Sequence, residues 1–393
     1  MENITLTMKE QKRVEVIGMV FRGELDMAGA AMVLGVSERQ AYRIKANIRL
    51  KGAKGAIHGN RGKSCSWRIL EEKCDKIERL YRDKYKGFND SHFREKLIEE
   101  EGIKNISREK VRRILRSKGI LPVRKRRGPK HRSRRERKEM EGMMLQVDGS
   151  PHDWLEGRGP YLCLIGAVDD ATGMVPSAIF EDAETTMGYL NLFNEIFKKK
   201  GLPMSIYSDR HTIFFTGREP TIEEQLANKR PVTQIGRAME ELGITLIPAY
   251  SPQAKGRIER LWGTFQDRLI SELRLKGAKT KIEAQRVLNR FLPDYNRRFS
   301  KPPKSILLAW KPLPHSLNLK QILCCKYKRT VANDNTLSFN GTILQIPKMA
   351  HCLSFARKKV DLLVLLDGSI EVYYQNNRIA QFKNIKLVLM EAA

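Results

Sequence analysis

Apolar residues recur at helical spacing through the first third of the chain. Val14, Ile17 and Val20 mark one helix, and MAGAAMVLGVSERQAYRIKANI (27–48) predicts two more, separated by a turn at Gly35. This pattern predicts an all-α helix-turn-helix domain over residues 1–60, and an ordinary helical hairpin is the alternative. The helix after the turn at Gly35 would expose four side chains suited to DNA contact: Arg39, Gln40, Arg43 and Lys45.

A second helical pattern covers residues 61–120. Phe93 and Leu97 mark one helix, and NISREKVRRILRSKGI (105–120) predicts another with basic residues on its polar side. The signal is weaker than that of the first pattern. We predict a second helix-turn-helix-like DNA-binding domain, with two basic residues facing the DNA: Arg108 and Arg112.

The centre of the chain changes to short apolar runs. Three runs closed by turn residues predict an antiparallel meander: MMLQVDGSP (143–151), YLCLIGAVDDATG (161–173) and GMVPSAIFE (173–181). The order then continues with a helix (184–201), a strand (202–209), a helix near 233–242, a strand (244–250) and a last helix. The sequence therefore predicts a central α/β domain over 141–275, with a mixed five-stranded sheet and flanking helices.

The remaining residues divide into two parts. Residues 276–317 have a helical pattern that ends near Pro302 and Pro303. Residues 318–393 alternate short strands with hairpin signals such as Asn340-Gly341 and Asp367-Gly368. We predict a helical extension followed by a small β-barrel domain.

The charge of the chain indicates its partner. Its 73 Lys and Arg against 45 Asp and Glu give a net charge of +28, which is typical of proteins that bind nucleic acid. The densest run, LPVRKRRGPKHRSRRERK (121–138), repels itself and predicts an extended basic linker over 121–140. We expect it to follow phosphates through four residues: Arg124, Lys125, Arg126 and Arg127.

Neither a membrane partner nor a zinc site is indicated. The chain has no apolar run of about 18 residues and no apolar leader at its N-terminus, so no membrane partner is expected. The six cysteines are scattered, without the Cys and His spacing of a zinc site.

Three carboxylates stand out by their positions. Asp148 ends the first predicted strand, Asp209 ends the fourth, and Glu259 lies on the last helix. Two divalent ions that activate water or a 3′-hydroxyl need several hard oxygen ligands, which carboxylates supply. Asp169 and Asp170 precede Ala-Thr-Gly, so we interpret them as turn residues.

The quoted segments carry a resemblance. LQVDGSPHDWLEGRGPYLCLIGAVDDATG (145–173), YSDRHTIF (207–214) and PAYSPQAKGRIERLWGTFQDRL (248–269) resemble the ISNCY group of bacterial insertion-sequence transposases. These belong to the DDE transposases, whose catalytic core is ribonuclease H-like and similar to retroviral integrases. The resemblance implies that the catalytic and metal-binding triad is Asp148, Asp209 and Glu259, with two Mg²⁺ or Mn²⁺ ions.

The sequence departs from the wider integrase pattern at three places. The interval between Asp209 and Glu259 is long, and the polar stretch TGREPTIEEQLANKRPV (216–232) accounts for the surplus. Arg210-His211-Thr212 follows the second aspartate. Gln266 stands where integrases carry a basic residue, for which Arg260 or Arg268 is a possible replacement.

The resemblance also implies a reaction and partners. The protein would bind the terminal inverted repeats of its element, cleave at the element ends and join the 3′-hydroxyls to target DNA. We expect at least a dimer on DNA and a cytoplasmic, nucleoid-associated protein. Phosphate contacts near the triad would come from Arg210, His211, Lys255, Arg257 and Arg260, with a packing role as the open alternative for His211. Trp262 either packs in the core or stacks on a base.

Two other functions stay open at this point. A non-catalytic DNA-binding regulator could retain the core, although all three carboxylates are present. A ribonuclease H-like nuclease acting on RNA hybrids would leave the two predicted DNA-binding domains unexplained.

Overall fold

The computed structural model describes residues 5–63, 70–123, 128, 135–226, 230–250, 255–349 and 353–383. The chain divides into two compact units, Met1–Asp75 and Lys76–Ala393. The six-part division predicted from the sequence, including an N-terminal domain over 1–60, stays a prediction.

The first unit is built from short helices. α1 (Met8–Arg22), α2 (Met27–Leu34) and α3 (Glu38–Lys51) are followed by a 3₁₀ turn, Gly52–Ala56. Gly35 ends α2 with a φ of 63°, a left-handed conformation that favours glycine. Ser37 then caps α3, because its Oγ accepts the backbone N–H of Gln40 at 3.4 Å. Two helices separated by a turn lie where the helix-turn-helix domain is predicted, while the helix-turn-helix assignment and its binding to DNA stay predictions.

Three helices open the second unit, although the first of them spans the division in sequence. They are α4 (Glu71–Asp83), α5 (Asp90–Glu99) and α6 (Arg108–Ser117). Ser107 caps α6 by accepting the backbone N–H of Lys110 at 3.2 Å. Phe93 and Leu97 of α5 are fully buried, as their spacing predicted.

The predicted mixed five-stranded sheet forms the centre of this unit. Its strands are β1 (Leu145–His152), β2 (Leu162–Asp169), β3 (Ala178–Glu181), β4 (Ser205–Ser208) and β5 (Thr245–Pro248). Their order is β3-β2-β1-β4-β5. β1, β2 and β3 pair antiparallel, while β4 is parallel to both β1 and β5.

One prediction about the first strand was wrong. The sequence predicts a turn at Gly149, Ser150 and Pro151 after Asp148, but β1 continues through them to His152 because they keep pairing with β2. Pairing with β4 ends at Gln146, so Pro151 lies where β1 has become an edge strand. Proline is tolerated there because no partner needs its missing N–H.

Helices cover both faces of the sheet. α7 (Thr186–Lys200) and α9 (Gln234–Glu241) pack on one face, against a core that includes Val147, Ile165 and Ile206. α10 (Gly256–Leu275) and α11 (Lys281–Phe299) pack on the other. A short α8 (Ile222–Leu226) lies in the polar stretch between β4 and α9. The resulting layers are helix, sheet, helix.

The C-terminal part contains two sheets. α12 (Leu319–Ile322) precedes four strands: β6 (Cys325–Thr330), β9 (Lys359–Val364), β10 (Ile370–Tyr374) and β11 (Asn377–Phe382). These strands form one antiparallel sheet in the order β11-β10-β9-β6. β7 (Thr336–Phe339) and β8 (Thr342–Gln345) form a separate hairpin. Among the described residues these strands do not close into one sheet, so the barrel stays a prediction.

The C-terminal sheet is joined to the central domain. Leu362 and Val372 belong to the same hydrophobic cluster as α7 and α9. Arg237 of α9 donates to the carbonyl of Cys324 at 2.5 Å.

In the part of the chain that the structure describes, no helix is long and apolar enough to cross a membrane.

Candidate active site

Strand register places the first two predicted carboxylates side by side. β1 and β4 are parallel, with Gln146 paired to Tyr207. Asp148 stands two residues after Gln146 within β1, and Asp209 stands two residues after Tyr207, immediately after the end of β4. Neighbouring strands are about 4.8 Å apart. Both carboxylates lie on the α10 side of the sheet, since alternate residues of a strand share a face. The fold therefore brings together two acids distant in sequence.

Lys255 links the two carboxylates. Its Nζ donates to Asp148 Oδ1 at 2.5 Å and to Asp209 Oδ2 at 3.1 Å. The lysine stands immediately before α10 and is only 9% exposed. Burial lowers the pKa of Lys255, but the two carboxylates more than reverse this effect, so the pKa is raised and the side chain stays charged. The predicted phosphate contact of Lys255 is thus replaced here by an ion pair within the site.

Asp148 is also held through its second oxygen. The indole Nε1–H of Trp262 donates to Asp148 Oδ2 at 3.0 Å. Burial raises the pKa of Asp148, against the opposing influence of Lys255 and Trp262. Trp262 is 7% exposed, so the packing alternative for this residue is the one observed. The ring does more than pack, because its N–H orients a candidate ligand.

Glu259 is exposed and makes no hydrogen bond or ion pair with a described residue. Its position on α10 still relates it to the pair. Lys255 comes four residues before it and Trp262 three residues after it, spacings that place side chains along one side of a helix. Both of those neighbours contact Asp148. Among the described residues, no three His, Cys, Asp or Glu side chains come close enough to hold a metal ion.

Two of the predicted phosphate contacts follow Asp209 directly. Arg210 is exposed, and its guanidinium carbon lies 4.3 Å from the ring centre of Tyr250. His211 is exposed, and its backbone N–H donates to Asp209 Oδ1 at 3.2 Å. Arg260 is exposed on α10. These three side chains lie on the surface, as a contact with phosphate requires.

Arg257 is placed differently from its prediction. Its Nη1 donates at 2.8 Å to Asp170, whose carboxylate is fully buried, and its Nη2 donates to the carbonyl of Arg135 at 3.1 Å. Arg135 also pairs with Asp170. Arg257 therefore joins α10 to the end of the basic linker, and its guanidinium is not presented to a ligand. Asp170, interpreted as a turn residue, is the acceptor that organises this contact.

Arg268, a suggested DNA contact, is also turned inward. It is 8% exposed and donates to both carboxylate oxygens of Glu95, at 2.6 and 3.0 Å. Close by, Glu272 of α10 accepts from His92 and Lys96 of α5. These pairs dock the second helical segment onto α10. The local sequence pattern does not predict these ion pairs, because both partners are charged residues on amphipathic helices.

The remaining predicted DNA contacts lie far from the carboxylates in sequence. Arg39, Gln40 and Arg43 are exposed on α3, while Lys45 is half-buried with its Nζ 5.7 Å from the ring centre of Phe21. Arg108 and Arg112 are exposed on α6, and Arg112 donates to Glu109 at 2.8 Å. The four linker residues fall outside the described residues: Arg124, Lys125, Arg126 and Arg127.

Sequence reasoning missed the roles of Lys255 and Trp262 toward Asp148. A usable signal was present in the spacing of Lys255, Glu259 and Trp262, which places them along one side of α10. If Glu259 faces the site, its neighbours one turn away face it too.

Two transposases resemble this chain over most of its length. No protein-family model matches the chain. It is 32% identical to a putative transposase, y4bF, of Sinorhizobium fredii, over 95% of this chain and 80% of that protein. It is 31% identical to the transposase for insertion sequence IS1202 of Streptococcus pneumoniae, over 92% of this chain and 84% of that protein.

Solved structures give a weaker likeness. The HTLV-2 integrase catalytic core domain in complex with magnesium matches 39% of this chain and 85% of its own, with 18% identity and a TM-score of 0.28. The simian T-cell lymphotropic virus intasome in complex with PP2A regulatory subunit B56 gamma matches 79% and 100%, with 12% identity and a TM-score of 0.31. At these TM-scores the likeness supports no inference about this chain.

Proposed function

The chain belongs to the transposases of insertion sequences, and on that premise we propose that it cuts and joins DNA with one site formed by Asp148, Asp209 and Glu259. It would bind the terminal inverted repeats of its element, cleave at the element ends and join the 3′-hydroxyls to target DNA.

One observation supports this proposal above the others. Asp148 and Asp209 converge on a single cation, the ammonium of Lys255. The Lys255 side chain is 11% exposed and that of Asp148 19%, whereas that of Asp209 is 43% exposed. A nearly buried ammonium needs counterions, because burying a charge is costly unless it is paired. In a transposase, two convergent carboxylates have an evident use as ligands of a catalytic metal.

The residues present fit a divalent metal. Asp148 and Asp209 supply hard oxygen donors, and the Lys255 ammonium is a stand-in for the positive charge they would hold. Glu259, one helical turn from two residues that touch Asp148, would supply the third carboxylate. Bound Mg²⁺ or Mn²⁺ would neutralise charge on the phosphate and lower the pKa of an attacking water or 3′-hydroxyl.

The chain's own residues would position the DNA. Arg210, His211 and Arg260 are exposed near the carboxylates and would contact phosphates on either side of the scissile bond. In-line displacement at phosphorus depends mainly on such positioning and on charge stabilisation. Lys255 would leave the carboxylates when metal binds, and its charge would then be available to the substrate.

The N-terminal helices would select the DNA. α3 presents Arg39, Gln40 and Arg43 together on its exposed side, which is the arrangement of a helix that enters the major groove. α6 presents Arg108 and Arg112 in a similar way. Bringing two element ends together would require at least two copies of the chain on DNA.

A strand-joining assay tests the proposal. Purified protein and a labelled terminal-repeat duplex would be incubated with target DNA and Mg²⁺ or Mn²⁺. We expect joined products from the wild type and none from Asp148→Asn, with equal DNA binding by both. Equal joining by both proteins would refute the proposed site. Binding without any reaction by the wild type would indicate a regulator, and cleavage of RNA hybrids without joining would indicate a nuclease.

A further inference from the structure

We propose that Trp262 is a positioning residue for the metal site, and that Gly166 provides the space this tryptophan needs. The inference rests on the proposed function, because it assumes that Asp148 is a metal ligand. It goes beyond that function by naming the residue that orients the Asp148 carboxylate.

The contacts of Asp148 divide between its two oxygens. Oδ1 accepts from Lys255 at 2.5 Å, and Oδ2 accepts from the indole of Trp262 at 3.0 Å. The lysine would leave when a metal arrives, since both are cations directed at the same carboxylates. The uncharged indole N–H has no such conflict, so it can go on orienting the carboxylate in the metal-bound state.

Three strands contribute to the place where the indole lies. Asp148 pairs with Gly166 across β1 and β2, and Gly166 pairs with Ala178 across β2 and β3. This row of residues lies on the α10 face of the sheet. A Cβ added at Gly166 would lie 2.9 Å from Trp262 Cη2, closer than real Cβ contacts. The small residues at 166 and 178 therefore leave room for the ring to reach Asp148.

The neighbours of Trp262 fix the ring. Its ring packs edge-on to that of Phe265, with 6.0 Å between the ring centres and 76° between the planes. Ile258 and Leu261 anchor the same part of α10 in the core. A buried ring packed in this way holds its N–H in place. Outer hydrogen bonds of this kind orient metal ligands, and their loss typically weakens metal binding about 10–100-fold.

A second tryptophan provides a matched control. Trp154 is fully buried in the same hydrophobic cluster, and its Nε1 donates at 3.0 Å to the backbone carbonyl of Ser150. Trp154→Phe and Trp262→Phe therefore remove the same atoms and one indole hydrogen bond each, which is buried for Trp154 and partly buried for Trp262. Only the second change affects a candidate metal ligand.

The experiment measures Mn²⁺ binding to the full-length protein by calorimetry, and strand joining at saturating Mn²⁺. We expect Trp262→Phe to weaken Mn²⁺ binding about 10-fold or more, while Trp154→Phe leaves it within about 2-fold of the wild type. Gly166→Ala should also weaken binding, because its methyl group displaces the indole. The double variant Gly166→Ala with Trp262→Phe should bind no more weakly than Trp262→Phe alone.

The outcomes separate this inference from the proposed function. Equal Mn²⁺ affinity in the two tryptophan variants would overturn the positioning role, provided that Asp148→Asn abolishes joining. If Asp148→Asn binds Mn²⁺ and joins strands like the wild type, the proposed site itself is wrong. Melting temperatures of all variants identify any loss of binding that comes from unfolding, and Trp154→Phe shows how large a general packing effect is.

Discussion

Asp170 is the residue whose replacement should destabilise the central domain most clearly. Its carboxylate is fully buried and accepts from Arg257 Nη1 and Gln146 Nε2, each at 2.8 Å, from the backbone N–H of Lys138 at 2.8 Å, and from Arg135. Arg257 has a side chain that is only 10% exposed. Asp170→Asn keeps the shape of the side chain but removes its charge, which leaves this guanidinium without a counterion.

The magnitude follows from burial. Breaking a buried ion pair by removing one partner costs about 3–5 kcal/mol, because the other charge stays buried and uncompensated. Arg257 Nε has no hydrogen-bond partner among the described residues, so the guanidinium has few remaining contacts to compensate. We therefore expect the free energy of unfolding to fall by about 3–5 kcal/mol.

Urea unfolding followed by tryptophan fluorescence measures this change. Asp153→Asn is the control, since Asp153 is exposed and caps a turn by accepting the N–H of Gly157 at 3.1 Å. The control should change the unfolding free energy by no more than about 0.5 kcal/mol. If Asp170→Asn falls by less than about 1 kcal/mol, the anchoring role given to the Asp170 and Arg257 pair is wrong.

Three further predictions concern acid stability, metal binding and DNA binding. Burial raises the pKa of Glu95, but Arg268 outweighs this and the pKa is lowered on folding. Ionised Glu95 therefore stabilises the fold at pH values above its unfolded pKa of about 4.3, and this stabilisation is lost as the pH falls through its lower folded pKa. In Glu95→Gln the melting temperature should consequently fall less steeply with decreasing pH in this acidic range than in the wild type. Lys255→Met should tighten Mn²⁺ binding by calorimetry, because no ammonium must be displaced; unchanged affinity would contradict that account. Arg39→Ala and Arg43→Ala should each reduce the slope of log affinity against log salt by about 1, and unchanged slopes would remove these residues from the interface.

Most of the secondary structure was predictable because its signals are local. Alternating and periodic apolar positions gave the five strands of the central sheet and the helices between them. Ser37 and Ser107 each cap a helix by a hydrogen bond to the backbone N–H three residues later, so the local sequence is enough to predict where these helices start. The order of strands in the sheet needs long-range pairing, and the resemblance supplied only the expectation of a ribonuclease H-like core.

The basic residues were harder to interpret because they have two uses. In a chain of net charge +28, the sequence predicts that Arg257 contacts phosphate and offers Arg268 as a replacement for the basic residue missing at Gln266. Arg257 and Arg268 instead bind carboxylates 87 and 173 residues away in sequence. No local pattern distinguishes a guanidinium that faces DNA from one that joins two elements, since both lie on amphipathic helices rich in charge.

The sequence predicts some features of the three carboxylates and not others. Asp148 and Asp209 were expected to meet, and Lys255 holds them together. The turn expected after Asp148 is absent, because pairing with β2 carries β1 onward to His152. Glu259 is the least constrained of the three, since its side chain is exposed and has no partner among the described residues.

That lack of constraint makes Glu259→Gln the most direct test of the central claim. An exposed glutamate without a described partner should be replaceable at no cost, so melting temperature and DNA affinity should match the wild type. Glu240→Gln, an exposed residue at the end of α9, is the matched control. The measurement is the rate of strand joining by each protein in Mg²⁺. If Glu259 completes the metal site with Asp148 and Asp209, joining is lost in Glu259→Gln and kept in Glu240→Gln. Wild-type joining by Glu259→Gln would contradict the three-carboxylate site.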